Sequence, residues 1–157
     1  MKKSLKLYID TSVWNFALET ERIDSTLTIE CLQFLEREGY QLIISNLVDA
    51  EINKSFEPRK SQLQKLLSLY NPMTVEANEE SRNLASIYIN EKLIPENQYN
   101  DAIHIAIATV SKCHFVVSWN FKHMVRAKVI MGVHHINHRE GYGLIEIVSP
   151  QQFLGKE

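Results

Sequence analysis

The sequence predicts an α/β domain in which a mainly parallel sheet carries helices on both faces. Three observations lead there. Short apolar runs alternate with longer stretches of helical spacing, the pattern of strands joined by crossover helices. The length of 157 residues suits one domain that buries its own core. No period of about 20 to 50 residues repeats, no segment is of low complexity, and no linker divides the chain.

The elements follow in order. Leu5 to Ile9 reads as a short buried strand. Thr11 or Ser12 can cap a short helix over Val13 to Leu18. Thr26 to Glu38 carries Ile29, Leu32, Phe34 and Leu35 at near-helical spacing, and Gly39 stops it. Gln41 to Ile44 is a second strand, after which Ser45 caps a helix to about Ser55. Pro58 starts a helix through Leu69, and another runs from Glu79 to Lys92, ending before Pro95. Tyr99 to Ser111 is apolar almost all round, so it should be a buried helix. His114 to Trp119 is a third strand. Phe121 to Tyr142 reads as helix then loop, Leu144 to Val148 as a fourth strand, and Pro150 opens a terminal helical turn.

Composition removes several classes of protein. No apolar run approaches the roughly 20 residues of a membrane span. The start, Met1-Lys2-Lys3-Ser4, is basic, but the apolar stretch after it is stopped by Asp10, so it is no signal peptide. Cys31 and Cys113 lie far apart in apolar contexts, which argues against a disulfide framework or a cysteine zinc site. The chain reads as cytoplasmic. Its net charge of −2 is uninformative, but the distribution is uneven. Ala102 to Arg139 contains no Asp or Glu and carries Lys112, Lys122, Arg126, Lys128 and Arg139, together with all six histidines. That is either a solvated face or a surface that meets phosphates beside an acidic site.

Ligands of a parallel sheet gather outside the carboxyl ends of its strands, so polar residues just after strands are the ones to question. Asp10 directly follows the first strand, with Thr11 and Ser12 adding hydroxyls; read alone, it is equally a helix cap. Glu51 follows the second strand. On a helical wheel Val48, Ile52 and Phe56 form the core stripe with Leu47 beside it, and Glu51 borders that stripe, whereas Asp49 falls on the polar face. A carboxylate at a core border is costly unless paired or bound to metal. Asp101 opens the most apolar helix, where the helix dipole alone would favour it. Asn120 follows the third strand, as a fourth polar group or a turn residue. Three carboxylates brought close repel unless a divalent cation neutralises them, and an all-oxygen set favours Mg²⁺ or Mn²⁺.

These residues carry a resemblance. Leu7-Tyr8-Ile9-Asp10-Thr11-Ser12-Val13, Glu51, Tyr99-Asn100-Asp101-Ala102-Ile103-His104-Ile105-Ala106 and Val117-Ser118-Trp119-Asn120-Phe121-Lys122-His123 resemble the PIN-domain nucleases in order and spacing, over essentially the whole chain. The tail Ile136 to Tyr142 is similar to one bacterial, VapC-like branch. The resemblance implies a three-layer α/β/α sandwich, Mg²⁺ or Mn²⁺ as cofactor, RNA cleavage, and for many single-domain members a toxin role with a cognate antitoxin and a homodimer. By position, the quartet is Asp10, Glu51, Asp101 and Asn120, the first three being the metal ligands; the family often has Asp at the fourth place. The reaction implied is hydrolysis without a covalent enzyme intermediate, an ion-activated water attacking phosphorus. Ser12, Lys122 and His123 are candidate substrate contacts, and Trp119 is either a base-stacking platform or an edge-of-core residue.

Other readings compete. A catalytically weak module that binds RNA or protein is one, with Asn120 marking a decayed site. A receiver-like phosphoacceptor is another, but the paired acids it needs near the first strand are missing. His134, His135 and His138 have metal-like spacing without a cysteine or acid to complete a site. Asp10-Thr11-Ser12 lacks the second Asp of a dehalogenase-type phosphatase, and no Walker A loop or dinucleotide glycine pattern occurs.

Overall fold

The computed structural model describes residues 5–156; the basic start Met1 to Ser4 lies outside them. The elements are β1 (Lys6–Ile9), α1 (Thr11–Ala17), α2 (Ile23–Arg37), β2 (Gln41–Ser45), α3 (Asn46–Asn53), α4 (Arg59–Tyr70), β3 (Met73–Val75), α5 (Glu79–Asn90), α6 (Tyr99–Val110), β4 (Phe115–Val117), α7 (Ala127–Arg139), β5 (Glu146–Val148) and α8 (Pro150–Leu154). All five strands pair in parallel, in the order β3-β2-β1-β4-β5. This is the α/β/α fold expected. Helices α5, α6 and α7 pack together, while α1 packs with α2, α3 and α4, and α2 with α8.

Burial explains the arrangement. β1 and β2 are apolar runs buried along most of their length, as a strand covered on both faces requires. From Ala102 to Thr109 every residue of α6 is buried, so this helix is wrapped on all sides. Gly39 follows α2 with φ of 76°, a conformation that suits glycine and ends the helix where the sequence says it should. Ser45 caps α3 as expected, its Oγ accepting from Leu47 N at 3.2 Å.

Several elements differ from expectation. A fifth strand, β3, pairs Met73 with Ile43 at the sheet edge. Between Phe121 and Tyr142 the order is reversed: turns come first, and α7 follows. Thr11 and Ser12 do not cap α1; they lie within its first turn, and Asp10 holds the N-cap position without a side-chain cap bond. Phe56 is not part of a core stripe. α3 ends at Asn53, and Phe56, beyond it, is 88% exposed.

The topology fixes where a ligand can sit. β1 is central, and the chain reverses its strand order between β1 and β4, the place where such sheets leave a crevice at their carboxyl ends. Asp10 leaves β1 at that crevice, and Ser118 to Asn120 leave β4 beside it.

Candidate active site

Asp10 is the innermost carboxylate. It is 6% exposed, and its Oδ2 accepts from Ser12 Oγ at 2.7 Å and Ser118 Oγ at 2.8 Å. Its backbone N–H donates to Val117 O at 3.1 Å, which ties the end of β1 to the end of β4. The side chain therefore serves the crevice rather than the helix behind it.

Glu51 reaches the same region from α3. Its Oε1 accepts from Thr11 Oγ1 at 2.6 Å and lies 2.9 Å from His104 Nε2. Burial pushes the Glu51 carboxyl up, but the bonds from His104 and Thr11 outweigh it and hold the group below its ordinary value. Asp101 stands in the first turn of α6. Its Oδ2 is buried and has no hydrogen-bond partner among the described residues. Burial, reinforced by the charge of Asp10, pushes its carboxyl above the ordinary value, against the stabilising side chains of Asn120, His123 and His104.

A residue with no role assigned from the sequence joins these acids. His104 is 2% exposed, one helical turn along α6 from Asp101. Besides Glu51 it touches Tyr8, whose hydroxyl is 2.6 Å from Nδ1; Asp10 Oδ1 lies 4.0 Å from Nε2. Burial lowers the imidazole's proton affinity, yet the Glu51 bond and the fields of Asp10, Glu51 and Asp101 raise it above the ordinary value. The three carboxylates thus act on one ring. A polar side chain inside an otherwise apolar helix was the available signal. No set of three or more His, Cys, Asp or Glu side chains among the described residues is gathered so as to hold a metal ion by itself.

A family model for the PIN domain matches residues 7–122, which takes in Asp10, Glu51, Asp101 and Asn120. The chain belongs to the PIN domain family. Solved structures agree on the fold. A VapBC2 complex from Rickettsia felis, bound to a promoter DNA fragment, is similar with a TM-score of 0.59 at 18% identity, over 92% of this chain and 98% of that one. A toxin–antitoxin complex from Klebsiella pneumoniae gives 0.54 at 18%, over 74% and 88%. A DNA-bound VapBC from Salmonella typhimurium gives 0.57 at 14%, over 93% and 98%. Comparison with curated proteins finds no match.

The remaining candidates of this PIN domain separate into rim and core. Asn120 stands beside Asp101; its Oδ1 accepts from His123 N at 2.9 Å, and its own N–H donates to Ser118 Oγ at 2.9 Å. Ser12 bridges the site, donating to Asp10 and accepting from Trp119 N at 3.0 Å. Lys122 is exposed and His123 half-buried, next to Arg126 and Lys128, which are exposed at the start of α7. Trp119 belongs to the core. It is 6% exposed, its Nε1 donates to Thr28 Oγ1 at 2.7 Å, and it stacks on Phe16 at 5.6 Å between centroids. A base cannot stack on it without opening that packing, so the platform role falls away.

The cationic stretch is not one face either. Arg139 pairs with Glu91 and Glu140, His134 lies 2.8 Å from Glu146 Oε1, and Lys112 stands ahead of β4, at the opposite end of the sheet. Ser118 and Tyr8 carry no role from the sequence, because hydroxyls in and beside strands are too common to stand out there, whereas Thr11 is marked only as a hydroxyl next to Asp10.

Proposed function

We propose that this PIN domain is a metal-dependent endoribonuclease that hydrolyses RNA phosphodiester bonds, with Mg²⁺ or Mn²⁺ held by Asp10, Asp101 and Glu51. The observation that carries the reading is Asp101 Oδ2, a buried carboxylate oxygen without a partner. Leaving such an atom unsatisfied costs about 1–3 kcal/mol or more, and a cation would supply what is missing. The donor set fits a hard ion. Mg²⁺ commonly takes only one or two carboxylates and keeps water in its other positions, so a closed protein cage is not required. Asp10 and Asp101 are the primary pair, and Glu51 adds its free oxygen or acts through water.

When bound, such an ion supplies Lewis acidity, lowering the pKa of a water and steadying the charge that builds on the phosphate. The chain does the rest. Ser12 and Ser118 fix Asp10 by bonding one oxygen and leaving Oδ1 to the crevice. Asn120 orients Asp101 and offers an amide to substrate or water. Lys122 and Arg126 supply positive charge where a phosphate backbone would run, and His123 lies between them in sequence.

The test is cleavage of labelled RNA with and without Mn²⁺. The protein should cut only with metal. Asp10→Asn and Asp101→Asn should each lower the rate roughly a hundredfold or more, the scale of several kcal/mol of lost charge stabilisation. RNA binding without cleavage would instead favour the catalytically weak module, the reading that Asn120 in place of an acid supports.

A protein partner is part of the reading. An open groove of about 730 Å³ lies between the end of α1 and α4, lined by Leu18, Leu66 and Leu69, with Leu69 68% exposed. An amphipathic segment of an antitoxin would fit such a groove, in keeping with the toxin–antitoxin complexes of similar fold. A homodimer and a cytoplasmic location belong to the same proposal. No helix among the described residues is long and apolar enough to cross a membrane.

A further inference from the structure

We propose that His104 is the positioning residue for Glu51: its Nε2–H donates to Oε1, so that Oε2 is the carboxylate oxygen left for a cation, while Tyr8 and Ser45 fix the ring from behind. This rests on the reading above that a divalent cation binds beside Asp10 and Asp101.

The argument starts from the length of the glutamate. Glu51 sits on α3, its side chain 34% exposed, with several rotatable bonds between backbone and carboxylate. Holding such a chain in one rotamer costs entropy, so an ordered carboxylate needs clamps. Two are present, and both fall on the same oxygen: Thr11 Oγ1 at 2.6 Å and His104 Nε2 at 2.9 Å. No hydrogen bond among the described residues falls on Oε2. An ionised carboxylate only accepts, so Nε2 carries a proton in this contact.

The ring is fixed in turn. Tyr8 Oη lies 2.6 Å from Nδ1 and 2.8 Å from Ser45 Oγ, and Ser45 Oγ accepts from Leu47 N. Tyr8, Ser45 and His104 are all buried, and each polar side-chain atom has a partner. A buried polar network is tolerated when complete and destabilising when it is not. The Tyr8 hydroxyl can donate to Nδ1 or accept from it, with Ser45 taking the complementary part; in either case the Nε2 proton points at Glu51. The relay runs from the end of β2 through β1 and α6 to α3, and it ends on a carboxylate at the crevice. A histidine serving only the core would have no need to end there. Imidazoles that orient acidic or metal-bound groups from one layer out are a general device, and losing one costs typically 10- to 100-fold in affinity.

The experiment combines nitrogen-15 spectra of the His104 ring with Mn²⁺ titration calorimetry on the full chain. The spectrum should show Nε2 protonated. His104→Leu should weaken Mn²⁺ binding about tenfold or more. His104→Gln, whose amide can still donate to Oε1, should recover most of the loss. In a double-mutant cycle, His104→Leu added to Glu51→Gln should cost little more than Glu51→Gln alone, because one acts through the other. Tyr8→Phe should give a smaller loss and should shift the Nδ1 signal. An unprotonated Nε2, unchanged Mn²⁺ affinity in His104→Leu, or fully additive losses would each overturn the assignment. Should His104→Leu fail to fold, the spectrum and the Tyr8→Phe variant decide. Wild-type protein that binds no Mn²⁺ would sink the cation reading instead, and the spectrum would still judge the His104–Glu51 bond.

Discussion

Burial dominates the chemistry of the two cysteines. Cys31 and Cys113 are both free and buried, and desolvation pushes each thiol up to about 12 from an ordinary 9.0. A raised acid pKa in the folded chain means that these two thiols leave stability unchanged well below pH 9. Above it the unfolded chain loses protons that the folded chain keeps, so stability falls with rising pH, by about 1.4 kcal/mol per unit for each thiol. Urea melts from pH 8 to 10.5 should show this decline, and a Cys31→Ala, Cys113→Ala double variant should show a shallower one. At the same scale, the acids were legible because carboxylates after strands or beside a core stripe are costly without a purpose. His104 was not. One imidazole in an apolar helix fits a core histidine equally well, and only the positions of Tyr8 and Glu51 reveal what it joins.

Elements with strong patterns were readable, and weak ones were not. The long apolar helix α6 and the buried strands β1 and β2 declare themselves through their sequence. β3 does not, because it has only three residues, pairs on one side alone and leaves Met73 60% exposed. Phe56 fits the helical period of α3 but lies beyond its end at Asn53, so the period does not bury it. Some short elements are nonetheless well specified. α8 has only five residues, yet Ser149 and Gln152 form a reciprocal cap, Ser149 Oγ accepting from Gln152 N at 3.1 Å and Gln152 Oε1 from Ser149 N at 2.9 Å. The cap aims Phe153 at Phe34, Tyr40 and Phe115, with centroids 5.2–6.3 Å apart. Ser149→Ala should therefore cost about 1 kcal/mol, seen as a lower urea midpoint with an unchanged m-value.

Across the whole molecule, charge is arranged by position and not by total. The chain is net negative, yet the exposed Lys122, Arg126 and Lys128 follow Asn120 in the segment that leaves the carboxyl end of β4. In the proposed nuclease, acids inside and cations beyond Asn120 would suit a polyanion that approaches an ion without being repelled by the carboxylates. Replacing Lys122 or Arg126 by Ala should weaken binding of single-stranded RNA. Each should also reduce the slope of log affinity against log salt by about 0.7, whereas Lys112→Ala, at the far end of the sheet, should leave the slope alone. The fold was legible at this scale because α/β alternation admits few topologies. The separation of the cations was not, since a run that is continuous in sequence is divided between two ends of the sheet.

The central place of β1 also bears on how the protein is made. β1 precedes the other described strands in the chain, yet it gains its second neighbour only when β4, which begins at Phe115, has been made. Asp10, Glu51 and Asp101 are all synthesised before then, but the hydroxyl of Ser118 and the amide of Asn120 are not. During translation the crevice therefore lacks one wall until Asn120 has emerged.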